Sequence, residues 1–559
     1  MWRSLGLLFA SLLLACKAGP STTDNGAKKP DIPAGAVVVR LDYGSEKKTW
    51  MEEMVTRYAA TNPKTKGGKP IYIESTSMGS GEIMQGILAG VRKPHVFSPA
   101  SEAYVTLLNQ YWLAQSSGKA LAPPGDDLLL SPIVIAMWKP MAEALGWPNK
   151  PIGWAEIIAI GQDPKGWDSL GHPEWGRFKL GHTHPKLSNS GLLAVLAEAY
   201  AGAKKTRDLT EQDLNNPEVQ TFLSNVESTL VHYGKSTNFF ADKMLSRGPG
   251  YISAAVLYEN VVIESYGKTS DAPFPIVSIY PAEGTFWSDH PYSILDATWV
   301  GAEEREGAEA FLAFLKEKPQ QQRALELGFR PADTSIVIGS PIDAAHGADA
   351  KQPQTLLDVP SGPILLKLLE TWEATKKTSD VVLVFDKSGS MRGEPLKSAK
   401  EGAVSFLKNL GDRDQVSLLL FDNNVYTATE PKALGNGGRE ELITRIQGAT
   451  ADGGTAMYDA AIAAFKGSQA RANVATNQIH AIVVMTDGKD ESSSATLDQV
   501  KQVLNVSDEL ASIKVFTIAY GAGADPTVLA EIAEAGKGST AKGDTASILS
   551  VFQDMAAFF

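Results

Sequence analysis

The strongest constraint on this chain is the alternation in its last third. Four largely apolar runs, Val381 to Phe385, Gln415 to Phe421, His480 to Met485 and Lys514 to Ala519, each have the length of one buried strand. Helical segments near Leu396 to Leu410, Met457 to Phe465 and Leu497 to Leu504 separate them. Strands that are apolar throughout need cover on both faces, and helical crossovers supply it. Residues 380–559 are therefore predicted to form a doubly wound, Rossmann-like α/β sheet. A ligand site on such a sheet falls at the carboxyl ends of the strands.

Three short segments reach that edge. Asp386-Lys387-Ser388-Gly389-Ser390 follows the first strand, Gly453-Gly454-Thr455 precedes the helix at Met457, and Thr486-Asp487-Gly488 follows the third strand. Their hydroxyls and carboxylates are hard oxygen donors, suited to Mg²⁺, Mn²⁺ or Ca²⁺ and poorly suited to zinc. Neutral serine and threonine ligands leave much of an ion's charge uncompensated, which favours an anionic oxygen from outside.

The set resembles the metal-ion-dependent adhesion site of von Willebrand factor A (VWA) domains. The resemblance implies that Ser388, Ser390 and Thr455 contact the metal through hydroxyls, and that Asp386 and Asp487 bind it directly or through water. It also implies Mg²⁺ as the cofactor, with Mn²⁺ or Ca²⁺ as substitutes, and a protein partner that supplies an acidic residue to the metal.

Residues 36–345 also alternate between strand and helix. Val37-Val38-Val39 and Ile71-Tyr72-Ile73 read as buried strands, and Trp50 to Tyr58 and Glu82 to Ala89 as helices. Ser75 to Gly81 follows a strand and opens a helix, and Ser188 to Gly191 opens another over Leu192 to Tyr200. A helix N-terminus offers free N–H groups and partial positive charge, and small hydroxyl residues add donors without blocking approach. Two such segments far apart in sequence suit a cleft to which each of two lobes contributes half. The alternative is that both are ordinary serine N-caps.

This region resembles the periplasmic solute-binding proteins of ABC transporters, in the two-lobed class that includes molybdate and sulfate binders. The carriers are Tyr43 to Lys47, Ser75 to Gly81, Ser188 to Gly191, Leu257-Tyr258-Glu259, Tyr280 to Gly284 and Gly328 to Pro331. The expected ligand-binding residues are Ser45, Ser77, Gly79, Ser80, Ser188, Asn189, Ser190 and Tyr258, facing a small polar or anionic ligand. The chain is expected to enter lobe two near Ser131 to Val134 and to return near Phe274 to Ile276. Residues 346–379 read as a linker and helix, because His346 to Pro363 is rich in Pro, Gly, Asp and Ala with little periodicity.

The N-terminus reads as a secretory leader. Arg3 precedes an apolar run from Leu5 to Ala15 that is too short to span a bilayer permanently. It ends in Leu13-Leu14-Ala15-Cys16, which resembles a bacterial lipobox, and Cys16 is the one cysteine of the chain. The reading is a signal peptide over 1–15, lipidation at Cys16, and a disordered tether over 16–35 rich in Gly, Pro, Ser, Thr and Lys. The expected location is the cell envelope, anchored by lipid, at the outer membrane if the source is Gram-negative. With one cysteine, stability must come from core packing rather than disulfides. A net charge of −12 argues against a nucleic-acid partner, which needs a basic surface.

Other signals are weaker. Gly234-Lys235-Ser236 and Gly267-Lys268-Thr269 lack the earlier glycine of a phosphate loop. His182-Thr183-His184, with His172 nearby, offers imidazoles for a transition metal, yet the same spacing is common among surface and capping histidines. Trp138, Trp147, Trp154, Trp167 and Trp175 are expected to pack lobe two. The reading is a membrane-tethered binding protein and not an enzyme, with sensing, adhesion or complex assembly as its role. The alternatives are an ABC-transporter component for an oxyanion, and a metal-dependent hydrolase, for which no general base is evident.

Overall fold

The computed structural model describes residues 32–116, 118–268, 272–475, 478–505 and 513–559. The leader, Cys16 and nearly all of the expected tether lie outside them. Three sheets organise the described chain. Lobe one holds a five-stranded sheet in the order Ile71–Met78, Val37–Gly44, Val96–Ser98, Pro291–Ile294 and Asp126–Asp127. Lobe two centres on the long strand Leu129–Trp138, which pairs with Ala254–Tyr258, Ile276–Ile279, Trp287–Ser288 and Arg330–Pro331. Leu180–Thr183 and Leu230–Gly234 extend that sheet beyond Ala254–Tyr258.

The chain enters lobe two at Asp127–Leu129, close to the expected position. It returns between Ser288 and Pro291, later than expected. Ile276–Ile279 pairs antiparallel with Ile135–Trp138 and so belongs to lobe two. The crossing back comes where Trp287–Ser288 still pairs with Ser131–Pro132 while Pro291–Tyr292 pairs with Asp126–Asp127 in lobe one.

The C-terminal sheet has six strands in the order Val425–Ala433, Gln415–Phe421, Thr378–Asp386, Gln478–Thr486, Lys514–Tyr520 and Thr540–Gly543. All neighbours are parallel except Val425–Ala433, which returns antiparallel on Gln415–Phe421. The four apolar strands lie where the sequence puts them. The two edge strands were not anticipated, because Val-Tyr-Thr-Ala-Thr-Glu-Pro-Lys-Ala and Thr-Ala-Lys-Gly carry the polar, half-exposed residues that suit a sheet edge. Thr378–Asp386 lies between Gln415–Phe421 and Gln478–Thr486, so the loops beyond its carboxyl end run to opposite faces and leave a crevice there.

The segment read as a linker is built into the body of the protein. Leu356 bridges to Thr285 of lobe two. Helix Gly362–Thr375 packs on the helices Glu102–Gln115 and Pro217–Ser228, one from each lobe, and buries Leu365, Leu368 and Trp372. Beyond it, Lys376 and Lys377 enter the last domain with no free spacer. Lys377 Nζ donates to Leu230 O at 2.8 Å, and Tyr233 N donates to Phe558 O at 3.3 Å, so lobe two and the C-terminal domain share an edge. Trp138, Trp154 and Trp167 are fully buried in lobe two, with Trp175 edge-on to Trp167. No helix among the described residues is long and apolar enough to cross a membrane.

Candidate functional site

The strand Thr378–Asp386 ends with Asp386 fully buried in the crevice. Ser388 N donates to Asp386 Oδ1 at 2.7 Å, and Thr486 Oγ1 donates to Asp386 Oδ2 at 2.6 Å. The next two hydroxyls continue the line. Ser388 Oγ and Ser390 Oγ are 3.0 Å apart, and Ser390 Oγ donates to Asp487 Oδ1 at 2.7 Å. Thr455 arrives from the third segment. Gly389 N donates to Gly453 O at 2.9 Å and Asp452 N to Lys387 O at 2.9 Å, which zips the two loops together. A Cβ on Gly488 would sit 3.3 Å from Thr455 Oγ1 and 3.8 Å from Ser390 Oγ, so both hydroxyls border the small space that this glycine leaves. All five expected metal-site residues therefore meet at one sheet edge.

The donor set fits a hard divalent cation. Three hydroxyls and two carboxylates converge, and among the described residues neither carboxylate has an ion-pair partner. Burial raises the Asp386 carboxyl to about 6, with the charge of Asp487 adding to the shift, and burial raises Asp487 too. A cation bound between them would favour the charged form of both. Lys387 does not supply one, because its ammonium is paired with Asp422 and lies over the Tyr426 ring. Ser390 is exposed, while Asp386, Ser388 and Thr455 are buried, so the site is rigid below and open above. Thr486 is a further site residue, which the sequence motifs do not mark as a metal ligand. Its place beside Asp487 at a strand end was the available signal.

The second expected site lies between the lobes. Ser80, Ser188, Asn189, Ser190 and Tyr258 are all buried there, Gly79 abuts the facing loop, and Ser45 and Ser77 are half-buried. The lobes bond directly. Ser101 Oγ donates to Asn189 Oδ1 at 2.6 Å and Asn238 Nδ2 donates to Ser45 O at 2.7 Å, while within lobe two Asn189 Nδ2 donates to the Tyr258 hydroxyl at 3.0 Å. Ser190 Oγ sits 2.8 Å from Thr183 Oγ1 and 2.9 Å from Thr237 Oγ1. Ser80 Oγ accepts from Ala100 N at 3.1 Å.

The N–H groups expected to be free at the first helix are taken. Gly81 N and Glu82 N both donate to Leu187 O, at 2.9 and 3.2 Å, so a carbonyl of lobe two stands where an anion's oxygen would. The lobes are closed upon each other. Glu46 and Lys47 are also buried here. Lys47 Nζ donates to Glu46 Oε1 at 3.0 Å and to Pro99 O at 3.1 Å. Burial would raise the Glu46 carboxyl, but Lys47 and the His290 imidazole, whose Nδ1 lies 3.2 Å from Glu46 Oε1, outweigh it and hold it down at about 2.

With this geometry in hand, the fold and the two sites define a bacterial binding protein of composite build. The family model for bacterial extracellular solute-binding proteins matches residues 39–330, and that for the von Willebrand factor type A domain matches residues 380–554. The first covers more than half of the chain, which therefore belongs to the bacterial extracellular solute-binding proteins and carries a C-terminal VWA domain. Both are binding-type domains.

Among curated proteins, the chain is 29% identical over 160 residues to "Uncharacterized protein sll0103" of Synechocystis sp., covering 29% of this chain and 36% of that one. Among solved structures, the periplasmic binding protein AfuA from Actinobacillus pleuropneumoniae is 14% identical, with a TM-score of 0.43, covering 60% of this chain and 98% of that one. A von Willebrand factor type A protein from Catenulispora acidiphila is 22% identical, with a TM-score of 0.29, covering 33% and 42%. The chain thus spans about a third of the length of that curated relative.

Proposed function

We propose that this protein is a lipid-anchored envelope protein that binds a protein partner through a divalent metal at the VWA site, and that its two-lobed module takes a small polar or anionic ligand. The observation that supports it most is the convergence of Asp386, Ser388, Ser390, Thr455 and Asp487 from three loops onto one open sheet edge. A bound Mg²⁺ would supply a coordination position for an acidic side chain of the partner. The chain's own groups do the rest. Asp386 and Asp487 supply the negative charge, Thr486 and the Ser388 amide orient Asp386, and the exposed Ser390 marks the side from which a partner approaches.

The two-lobed module serves this reading as a sensor. The Gly81 and Glu82 amides are already bonded to Leu187 O across the closed lobes, so a ligand has to replace that carbonyl to reach them. The anchor rests on the Leu13-Leu14-Ala15-Cys16 pattern. Binding of an immobilised acidic peptide to the full chain, with Mg²⁺ and with EDTA, tests the metal dependence. Binding in Mg²⁺ that EDTA abolishes is expected, and binding indifferent to EDTA contradicts it.

A further inference from the structure

His182 is the half of the His-x-His pair that the structure gives a chemical setting. It stands on the strand Leu180–Thr183, and two carboxylates from lobe two reach it: Glu198 of helix Asn189–Ala203 and Glu227 of helix Pro217–Ser228. All three are fully buried, and one ligand atom from each lies within 4.8 Å of the others. His184 is not among the three and packs edge-on to Trp372 and Tyr233.

Each residue is disposed as a metal ligand would be. His182 Nδ1 is 2.7 Å from Thr183 O. A carbonyl only accepts, so Nδ1 carries a proton, and Nε2 is the ring atom that faces the carboxylates, 3.3 Å from Glu227 Oε1, where a metal would take the place of its proton. Glu227 is oriented from outside, by Trp372 Nε1 at 2.8 Å and by the Tyr233 hydroxyl at 2.5 Å. Glu198 has no hydrogen-bond partner at either carboxylate oxygen, although both oxygens are buried. A buried carboxylate without a partner is strongly disfavoured unless a proton or a cation joins it. Lys377, whose charge reaches Glu227, places its ammonium on Leu230 O instead.

From this arrangement we infer that His182, Glu198 and Glu227 form a structural site for a first-row divalent transition metal, with Zn²⁺ as the best fit. An imidazole among carboxylates selects zinc over Mg²⁺ or Ca²⁺. His182 Nε2 and Glu227 Oε1 are 3.3 Å apart. Two ligands about 2.0–2.1 Å from a tetrahedral zinc are separated by about 3.4 Å, so the pair already has the length of one coordination edge. Two carboxylates and a neutral imidazole carry a charge of −2, which a divalent ion cancels. The ion would tie together three elements of lobe two and, through Glu227 and Trp372, the helix Gly362–Thr375 that leads to the VWA domain.

The competing occupant is a proton on Glu198, whose carboxyl is pushed well above the usual range by burial and by the charge of Glu227. Elemental analysis separates the two. The full chain carrying Asp386→Ala and Asp487→Ala, so that the VWA site contributes nothing, is produced with Zn²⁺ supplied and dialysed natively against EDTA. We expect about one equivalent of zinc in that protein, falling below about 0.1 equivalent when Glu198→Gln is added. The same double variant produced with Co²⁺ in place of Zn²⁺ should show the intense visible bands of four-coordinate cobalt, which decides the matter even if Glu198→Gln fails to fold. A zinc-free, colourless double variant overturns the proposal, as does a zinc content that Glu198→Gln leaves unchanged.

Discussion

Thr486 Oγ1 donates to Asp386 Oδ2 across 2.6 Å, joining the ends of two adjacent parallel strands. With Ser388 N on the other oxygen, Asp386 is held in one orientation before any ligand arrives. Groups that orient a metal ligand commonly matter to affinity by about 10–100-fold. Thr486→Val should keep the fold and weaken Mg²⁺ binding by about 10-fold or more, as read by calorimetry. Unchanged affinity would show that the hydrogen bond has no part in positioning Asp386.

The contrast between Asp386 and Glu198 shows what a sequence discloses. The VWA residues were legible because each sits in a short motif, Asp386 to Ser390 and Asp487 just after apolar strands and Thr455 just before the helix at Met457, where the fold class alone brings these loops to one sheet edge. Glu198 and Glu227 are single acids on helices, and only packing of those helices around Leu180–Thr183 brings them to His182. The closure of the lobes was equally out of reach. Ser80 and Ser188 look the same whether a helix N-terminus faces solvent, an anion or Leu187 O. The helix Gly362–Thr375 was legible as a helix, but its docking against both lobes depends on surfaces far away in sequence.

Closure of the lobes depends on glycine at position 81. A Cβ there would lie 2.3 Å from Lys186 O, 2.7 Å from the Tyr104 hydroxyl and 2.8 Å from Leu187 Cα. Two of these are backbone atoms that cannot swing aside. Gly81→Ala should therefore open the lobes or strain them, at a cost of about 1–3 kcal/mol. The expected readings are a larger radius of gyration by small-angle scattering and faster proteolysis between the lobes. A variant with wild-type stability and radius would mean that the lobes are not packed as described.

Buried carboxyls near the crossing between the lobes should make stability depend on pH. Glu102 is raised to about 7 by burial and by the charges of Asp289 and Asp127, and Asp289 is raised to about 6 by burial and by Asp127. A carboxyl raised in the folded state stabilises fully below its unfolded value, and that contribution is lost as pH rises through the folded value. The pair should thus favour folding near pH 4 and lose that favour progressively up to about pH 7. Thermal denaturation from pH 5 to 8 should show a smaller loss of stability with rising pH in Glu102→Gln than in wild type. Parallel curves would remove Glu102 from the account.

Lys376 joins the two modules where lobe two meets the VWA domain. Its ammonium is buried and donates to Asp414 Oδ1 and Oδ2 at 3.2 and 3.1 Å and to Phe559 O at 2.8 Å. Asp414 also accepts from Ser379 N and Gly411 N. Lys376→Met leaves a buried carboxylate without its cation and should cost about 3–5 kcal/mol in urea denaturation. Adding Asp414→Asn should recover part of that loss. No coupling between the two substitutions would show that the pair contributes nothing of its own.

Cys16→Ser should release the protein from membranes or leave its leader uncleaved, because two acyl chains on one cysteine would be the whole anchor. Fractionation and electrophoretic mobility read this directly. A variant that partitions and migrates as wild type does would contradict the lipid anchor.

The central claim is that the VWA edge holds a divalent metal through its two carboxylates. Isothermal titration of Mg²⁺ and Mn²⁺ into the full chain tests it most directly, beside the Asp386→Ala, Asp487→Ala double variant. The account predicts saturable binding by the wild type, with a melting temperature that rises with Mg²⁺ as for any ligand of the native state. It predicts neither effect in the double variant, which should remain folded because Asp386 and Asp487 lie at strand ends outside the apolar core. Equal Mg²⁺ binding by the two proteins would contradict it.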